Sequence, residues 1–232
     1  MSEPIPTGNS AVDDLLGGGF ERGAVTQVYG PPAAGKTNLA LAAAVGVAAS
    51  GGTALYIDTE GLSIDRFEQL ASAYADDDQS VEEIASRVII SEALDFAEQE
   101  EAVRDAADLA GQVDLVVLDS ATGFYRLERT NDSGGETLRK VARQVTHLLS
   151  LARKEDLAVV LTNQVFSDPD SESERVRPLG GNTLTHWSAV VLRLERFRAG
   201  NRRATLEKHR SKPAGGTARF RITETGLESV EE

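Results

Sequence analysis

The residues Gly30-Pro31-Pro32-Ala33-Ala34-Gly35-Lys36-Thr37 have the types and the spacing to hold phosphate. They fit G-x-x-x-x-G-K-[ST], in which backbone N–H groups of the loop and the positive end of the following helix cradle phosphate oxygens. Lys36 then reaches the β- and γ-phosphates and the Thr37 hydroxyl takes a Mg²⁺. The chemistry needs a strand before the loop and a helix after it. Val25 to Tyr29 reads as a short buried strand, and Asn38 to Ala49 is an Ala/Leu/Val run interrupted only by Gly46.

Three more residues have the position to act on a nucleotide held there. Asp119 closes the apolar run Leu115-Val116-Val117-Leu118, so its carboxylate falls at the carboxyl end of a buried strand, where Mg²⁺ needs a second acid. Without the phosphate-binding loop the same aspartate would read as a helix or turn cap. Glu60 follows the strand Ala54 to Asp58 and can orient or deprotonate an attacking water, the competing role being a cap on the helix that begins near Ser63. Gln164 ends the strand Ala158 to Asn163 and offers an amide to the γ-phosphate.

These residues are positioned by a regular alternation of elements. A short acidic helix lies between Thr7-Gly8 and Leu15-Leu16-Gly17-Gly18-Gly19, ahead of the first strand. Helices are predicted over Ile64 to Tyr74, Phe96 to Gly111 and Leu138 to Lys154, with strands at Val88 to Ile90, Leu115 to Asp119 and Ala158 to Asn163. Val190 to Leu194, Arg203 to Lys208 and Ala218 to Ile222 read as three shorter strands joined by turns. The expected fold is α/β: a mostly parallel twisted sheet flanked by helices, with a C-terminal antiparallel edge. At 232 residues and 41% hydrophobic content, residues 1–232 are expected to share one core. The longest apolar stretch, around Leu39 to Ala49, is too short to span a bilayer, and there is no cysteine; both accord with a soluble, cytoplasmic protein without a membrane partner.

The net charge of −13 is unevenly spread. Between Arg193 and Arg221, ten basic residues face only Glu195 and Glu207, a net of +8 that leaves −21 on the rest of the chain. The chain has only five lysines against nineteen arginines. An acidic, lysine-poor composition fits molar salt, where the Debye length is about 3 Å and self-repulsion is screened.

Taken in order, Thr7-Gly8, Leu15 to Gly19, Gly30 to Thr37, Tyr56-Ile57-Asp58-Thr59-Glu60-Gly61, Leu118-Asp119-Ser120, Thr162-Asn163-Gln164-Val165 and Pro178-Leu179-Gly180-Gly181-Asn182 resemble the core of the RecA/RadA recombinases over essentially the whole chain. The resemblance implies a RecA-like ATPase core with ATP and Mg²⁺ as cofactors. It puts Glu60 at the catalytic glutamate and Gln164 at the glutamine that couples nucleotide to the DNA loop. It puts Arg66, one residue short of the family spacing, at an arginine that stacks on adenine. His186 matches a histidine beside the nucleotide at a subunit interface, and Lys208 and Arg210 match cations inserted into a neighbour's ATP site. The two polar loops fall where the family holds single-stranded DNA, the first with Phe124, Tyr125, Arg126 and Arg129, the second with Arg175, Arg177, Gly180 and Gly181. Arginines there can contact phosphates and aromatics can stack on bases, although Asp168, Asp170, Glu172 and Glu174 oppose strong binding at low salt.

The chain is expected to consist of the core, without the helical DNA-binding domain of RadA and the Phe-x-x-Ala segment that links its protomers. Within the family this resembles an archaeal paralogue that assists RadA-type recombinase in recombination and repair. The implied partners are DNA, single-stranded or branched, and the recombinase, with a Holliday junction resolvase as a further candidate. The implied assembly is a monomer or small oligomer. Three other readings stay open: an autonomous strand-exchange enzyme, which needs filaments, a KaiC-like signalling ATPase, which needs rings and no DNA, and a structural adaptor that binds ATP only to fold. Ala33-Ala34 stands where Gly-Ser is common in the family, so nucleotide binding with slow turnover is expected.

Overall fold

A computed structural model of the chain describes residues 2–125, 135–166, 177–197 and 200–230. Helix α1 (Ser10–Leu16) is capped by Asn9, whose side chain accepts from the Val12 N–H at 3.1 Å, and ends at Gly17 in the left-handed region. It leads into β1 (Ala24–Tyr29), buried at every position, and α2 (Lys36–Ala49), which is apolar around most of its circumference because the sheet and two helices enclose it. There follow β2 (Ala54–Asp58), α3 (Ile64–Ser72), α4 (Val81–Ala85), β3 (Val88–Glu92), α5 (Phe96–Leu109), β4 (Leu115–Asp119), α6 (Gly135–Glu155) and β5 (Ala158–Asn163). A two-residue ribbon, β6 (Val165–Phe166) with β7 (Arg177–Pro178), precedes α7 (Asn182–Trp187). The chain then runs through β8 (Val190–Arg196), β9 (Asn201–Lys208), β10 (Thr217–Thr223) and β11 (Gly226–Ser229).

The main sheet has nine strands in the order β11-β10-β9-β8-β1-β5-β4-β2-β3. The pairings from β8 to β3 are parallel and those from β8 to β11 antiparallel, as the expected fold requires. One apolar cluster fills the face under α1, α2 and α3, and a second fills the face under α5 and α6. Because β1 lies between β5 and β8, its carboxyl end opens on the crevice where open α/β sheets bind ligands.

Four features were not visible in the sequence pattern: α4, the β6–β7 ribbon, α7 and β11. Each spans six residues or fewer, too short for a period to register, and α4 is held by a local device, the reciprocal capping of Ser80 and Glu83. Helix α6 also begins before Leu138, while α3 stops at Ser72 rather than Tyr74. Among the described residues no helix is long and apolar enough to cross a membrane.

Candidate nucleotide site

The loop after β1 has the backbone its residues suggested. Gly35 is left-handed at φ 101° and caps α2, and Ala33 is left-handed at φ 60°, an arrangement that costs a non-glycine residue about 1 kcal/mol. The strained member of the Ala33-Ala34 pair is therefore Ala33, whereas Ala34 is fully buried. Gly30 is required for a different reason: a Cβ there would lie 2.3 Å from the Leu194 carbonyl oxygen of β8. Lys36 is only 8% exposed and its ammonium donates to the Gly30 and Pro31 carbonyls at 3.0 and 3.2 Å. Burial pulls its pKa below the usual lysine range, and the carboxylates of Glu60 and Asp119 oppose that shift. Phosphate oxygens, being charged, would compete well against two neutral carbonyls for this ammonium.

Asp119 is 2% exposed and accepts hydrogen bonds from the hydroxyls of Tyr56 (2.6 Å) and Thr162, with the Thr37 hydroxyl close by. Burial raises its pKa, and these hydroxyls work against the rise. A carboxylate and a threonine hydroxyl thus meet at the start of α2, the oxygen donor set that suits Mg²⁺. Glu60 stands at the mouth of the same cleft, where its Oε1 accepts from the Ser120 hydroxyl at 2.7 Å and the Gln164 amide at 2.8 Å. Its backbone is fixed by Asp58, whose carboxylate accepts from the N–H groups of Glu60, Gly61 and Leu62. Ser120, joined to Asp119 by a cis peptide, and Asp58 hold Glu60 in place, a role that the motifs containing them do not disclose. An aspartate two residues ahead of an exposed glutamate and a glycine was the available signal for the turn. Gly35, Lys36, Thr37, Asn38, Glu60 and Gln164, with Pro32 and Ala33, line a cleft of about 260 Å³. A larger cavity of about 640 Å³ lies elsewhere, between the amino-terminal segment and Tyr74; its cation Arg22 is already paired with Asp114 at 2.9 Å.

Gln164 also joins the cleft to the second polar loop. Its carbonyl accepts from the Leu179 N–H at 2.8 Å, the Asn163 amide donates to the Leu179 carbonyl at 2.9 Å, and β6 and β7 close the base of the loop immediately beyond. Gly180 and Gly181 follow, both with positive φ, and Gly181 opens α7. Arg126, Arg129 and Arg175 lie outside the described residues, and so does the Arg177 side chain. Tyr125 requires a correction: it is 6% exposed and packed in the core under α6, so its ring has no free face for a base. Phe124 packs partly against the same cluster.

The remaining residues expected at the nucleotide have other partners. Arg66 donates to Asn38 at 2.8 Å and to the Thr223, Glu224 and Gly226 carbonyls, tying α3 and the start of α2 to the β10–β11 turn. Lys208 donates to the Thr185 carbonyl at 2.7 Å at the end of α7, His186 stacks edge-on against Trp187, and Arg210 pairs with Glu21 at 2.8 Å. None of these four lines the cleft.

A parallel sheet with a P-loop at its central strand, an acid at the end of β4 and a glutamate at the end of β2 defines a RecA-like fold. The chain belongs to the Rad51 family, whose match covers residues 3–230. The DNA repair and recombination protein RadB of Halobacterium salinarum is 62% identical over 227 residues, which cover 97% of this chain and 95% of that protein. RadB of Methanoculleus marisnigri is 44% identical over 233 residues, 99% of each chain. A crystal structure of the RadB recombinase superposes with a TM-score of 0.81 at 39% identity, covering 98% of this chain and all of the other. The acidic, lysine-poor composition of this chain and its 62% identity to a Halobacterium protein are in keeping with a halophilic chain.

Proposed function

We propose that this chain is an ATP-binding DNA repair and recombination protein of low ATPase activity, which binds single-stranded or branched DNA and assists a RadA-type recombinase. The observation that carries this reading is the shared contact at Glu60 Oε1, where the candidate base and the polar-loop residue Gln164 meet beside the P-loop. Gly30 to Thr37 would hold the phosphates, Lys36 would neutralise their charge, and Thr37 and Asp119 would hold Mg²⁺. Bound there, the ion would spread the negative charge developing on phosphate oxygens. Glu60 would take the proton of the attacking water at its carboxylate, and the amide of Gln164 would follow the carboxylate's position into the β6–β7 ribbon. Left-handed Ala33 supports slow turnover, because the loop's conformation there costs energy that glycine would not spend. Residues 1–232 would act as one core domain in the cytoplasm, as a monomer or small oligomer.

The test is the mass of the protein in concentrated KCl with ATP and Mg²⁺, with and without single-stranded DNA. A monomer or dimer that binds DNA without extending supports the mediator. Long assemblies would make it an autonomous recombinase, and a DNA-indifferent ring would make it a signalling ATPase.

A further inference from the structure

The C-terminal ribbon turns an alternating face onto the core cluster it shares with α1 and α2. On β8 that face carries Leu192, Leu194 and Arg196; on β9 it carries Arg202, Ala204 and Leu206, paired across the strands as Leu192 with Leu206, Leu194 with Ala204 and Arg196 with Arg202. The two inner rungs are buried apolar pairs. The last one, nearest the P-loop, is a pair of arginines. Like charges directly opposite on one sheet face repel, and among the described residues neither has a carboxylate partner.

Arg202 is also packed against the phosphate-binding loop at Gly35, beside the cleft and not in its lining. Its Cδ and Nε lie 3.8 and 3.6 Å from the place a Cβ on Gly35 would occupy, beside Ile222 of β10 at 3.1 Å. Its Nη1 donates to the Gly200 carbonyl, but Nε is enclosed without a hydrogen-bond partner. Burial and the neighbouring Arg196 both act against its charge. A guanidinium so placed lacks an anion, and the adjacent N-terminus of α2 is built to hold one.

We infer that Arg202, with Arg196 beside it, is a further phosphate-binding cation of the P-loop site, supplied from within the same chain by the C-terminal ribbon. The inference rests on the P-loop holding a nucleotide. It assigns the β8–β9 hairpin a part in nucleotide affinity and gives one portion of the basic segment a ligand other than DNA. Arg203, next along the strand, points to the opposite face, where it pairs with Glu195 at 2.9 Å.

The test is the Kd for ATP with Mg²⁺ of the full chain and of Arg202→Gln, Arg202→Lys, Arg196→Gln and Arg203→Gln, with the Kd for a single-stranded oligonucleotide measured alongside. Loss of a charge-assisted hydrogen bond weakens ATP binding by about tenfold in Arg202→Gln, with Arg202→Lys recovering most of it and Arg203→Gln unchanged. Arg196 is exposed, so Arg196→Gln should fold normally and report a smaller loss even if Arg202→Gln proves unstable. Wild-type protein that binds no ATP overturns the P-loop reading itself. Wild-type binding with Arg202→Gln and Arg196→Gln both within about twofold overturns only the role of these arginines, as does a loss confined to the oligonucleotide.

Discussion

The parallel strands β3, β2, β4, β5 and β1 and the antiparallel ribbon β9, β10 and β11 reach the P-loop from opposite sides, and they hold their polar groups differently. On the parallel side, the polar residues of the cleft sit where strands end and are fixed by short-range bonds: Asp58 to the turn at Glu60, Ser120 to Glu60, and the Tyr56 and Thr162 hydroxyls to Asp119. On the antiparallel side, charges are spread along the strands and paired across them. Glu195 faces Arg193 at 3.5 Å and Arg203 at 2.9 Å, and Glu207 takes the Tyr29 hydroxyl at 2.6 Å. Strand ends aim single groups at one cleft, whereas strand faces support ladders whose members can exchange partners. The first arrangement suits a site, and the second suits a sheet edge that faces solvent.

The largest effect expected lies on the parallel side and is chemical. Glu60→Gln keeps the shape that meets Ser120 and Gln164 but removes the proposed base, so single-turnover ATP hydrolysis should fall by about 10²-fold while ATP affinity changes little. Hydrolysis unchanged in this variant would break the assignment of chemistry to the strand ends. Next comes the seam between the regions. Gly30→Ala places a Cβ 2.3 Å from the Leu194 carbonyl oxygen, and because both partners are backbone neither can swing aside. A loss of about 3 kcal/mol in urea melts is expected, similar at low and high KCl because its cause is steric.

The same contrast explains what the sequence disclosed. Gly30 to Thr37, Glu60, Asp119 and Gln164 were legible because each terminates an apolar run, so its place at the carboxyl end of a strand follows from the run. The sheet's direction followed from the alternation of runs and helical periods. Tyr125 was misjudged because a tyrosine in a polar stretch carries no mark of burial; its ring is claimed by the core under α6, a contact made by residues distant in sequence. The basic segment from Arg193 to Arg221 was visible as charge, but not as geometry. Strand alternation separates Arg202 from Arg203 onto opposite faces, and which face lies inward is decided by the β8–β9 register. Asp58 and Ser120 escaped notice because their work is to hold the turn that carries Glu60.

Asp119 offers a third, smaller test, since its role would oppose its stability. Its folded pKa is raised, so the native state binds the proton more readily than the unfolded chain. The cost of ionised Asp119 is therefore absent below the ordinary aspartate pKa of 3.8, grows as pH rises toward the folded value, and is fully present above it. Asp119→Asn removes that cost and should raise stability at neutral pH in the absence of nucleotide. The variant should also lose the additional thermal shift that Mg²⁺ gives with ATP. A destabilised variant at pH 7 would mean that the hydroxyls of Tyr56, Thr162 and Thr37 hold the carboxylate more firmly than burial opposes it.

The smallest effect belongs to the antiparallel ladder. Glu195→Gln removes the acceptor of two partly exposed ion pairs, a loss of about 0.5–1 kcal/mol in dilute buffer. In concentrated KCl the Debye length shrinks to about 3 Å, comparable to the separation of the charges, so the loss should shrink with it. Melting Glu195→Gln and Gly30→Ala at both salt concentrations separates the two kinds of holding directly: the ladder variant should recover in salt and the seam variant should not. Equal salt response would mean that Glu195 acts chiefly through packing, with Arg203 held instead by the Phe197 ring, over which it lies at 4.8 Å.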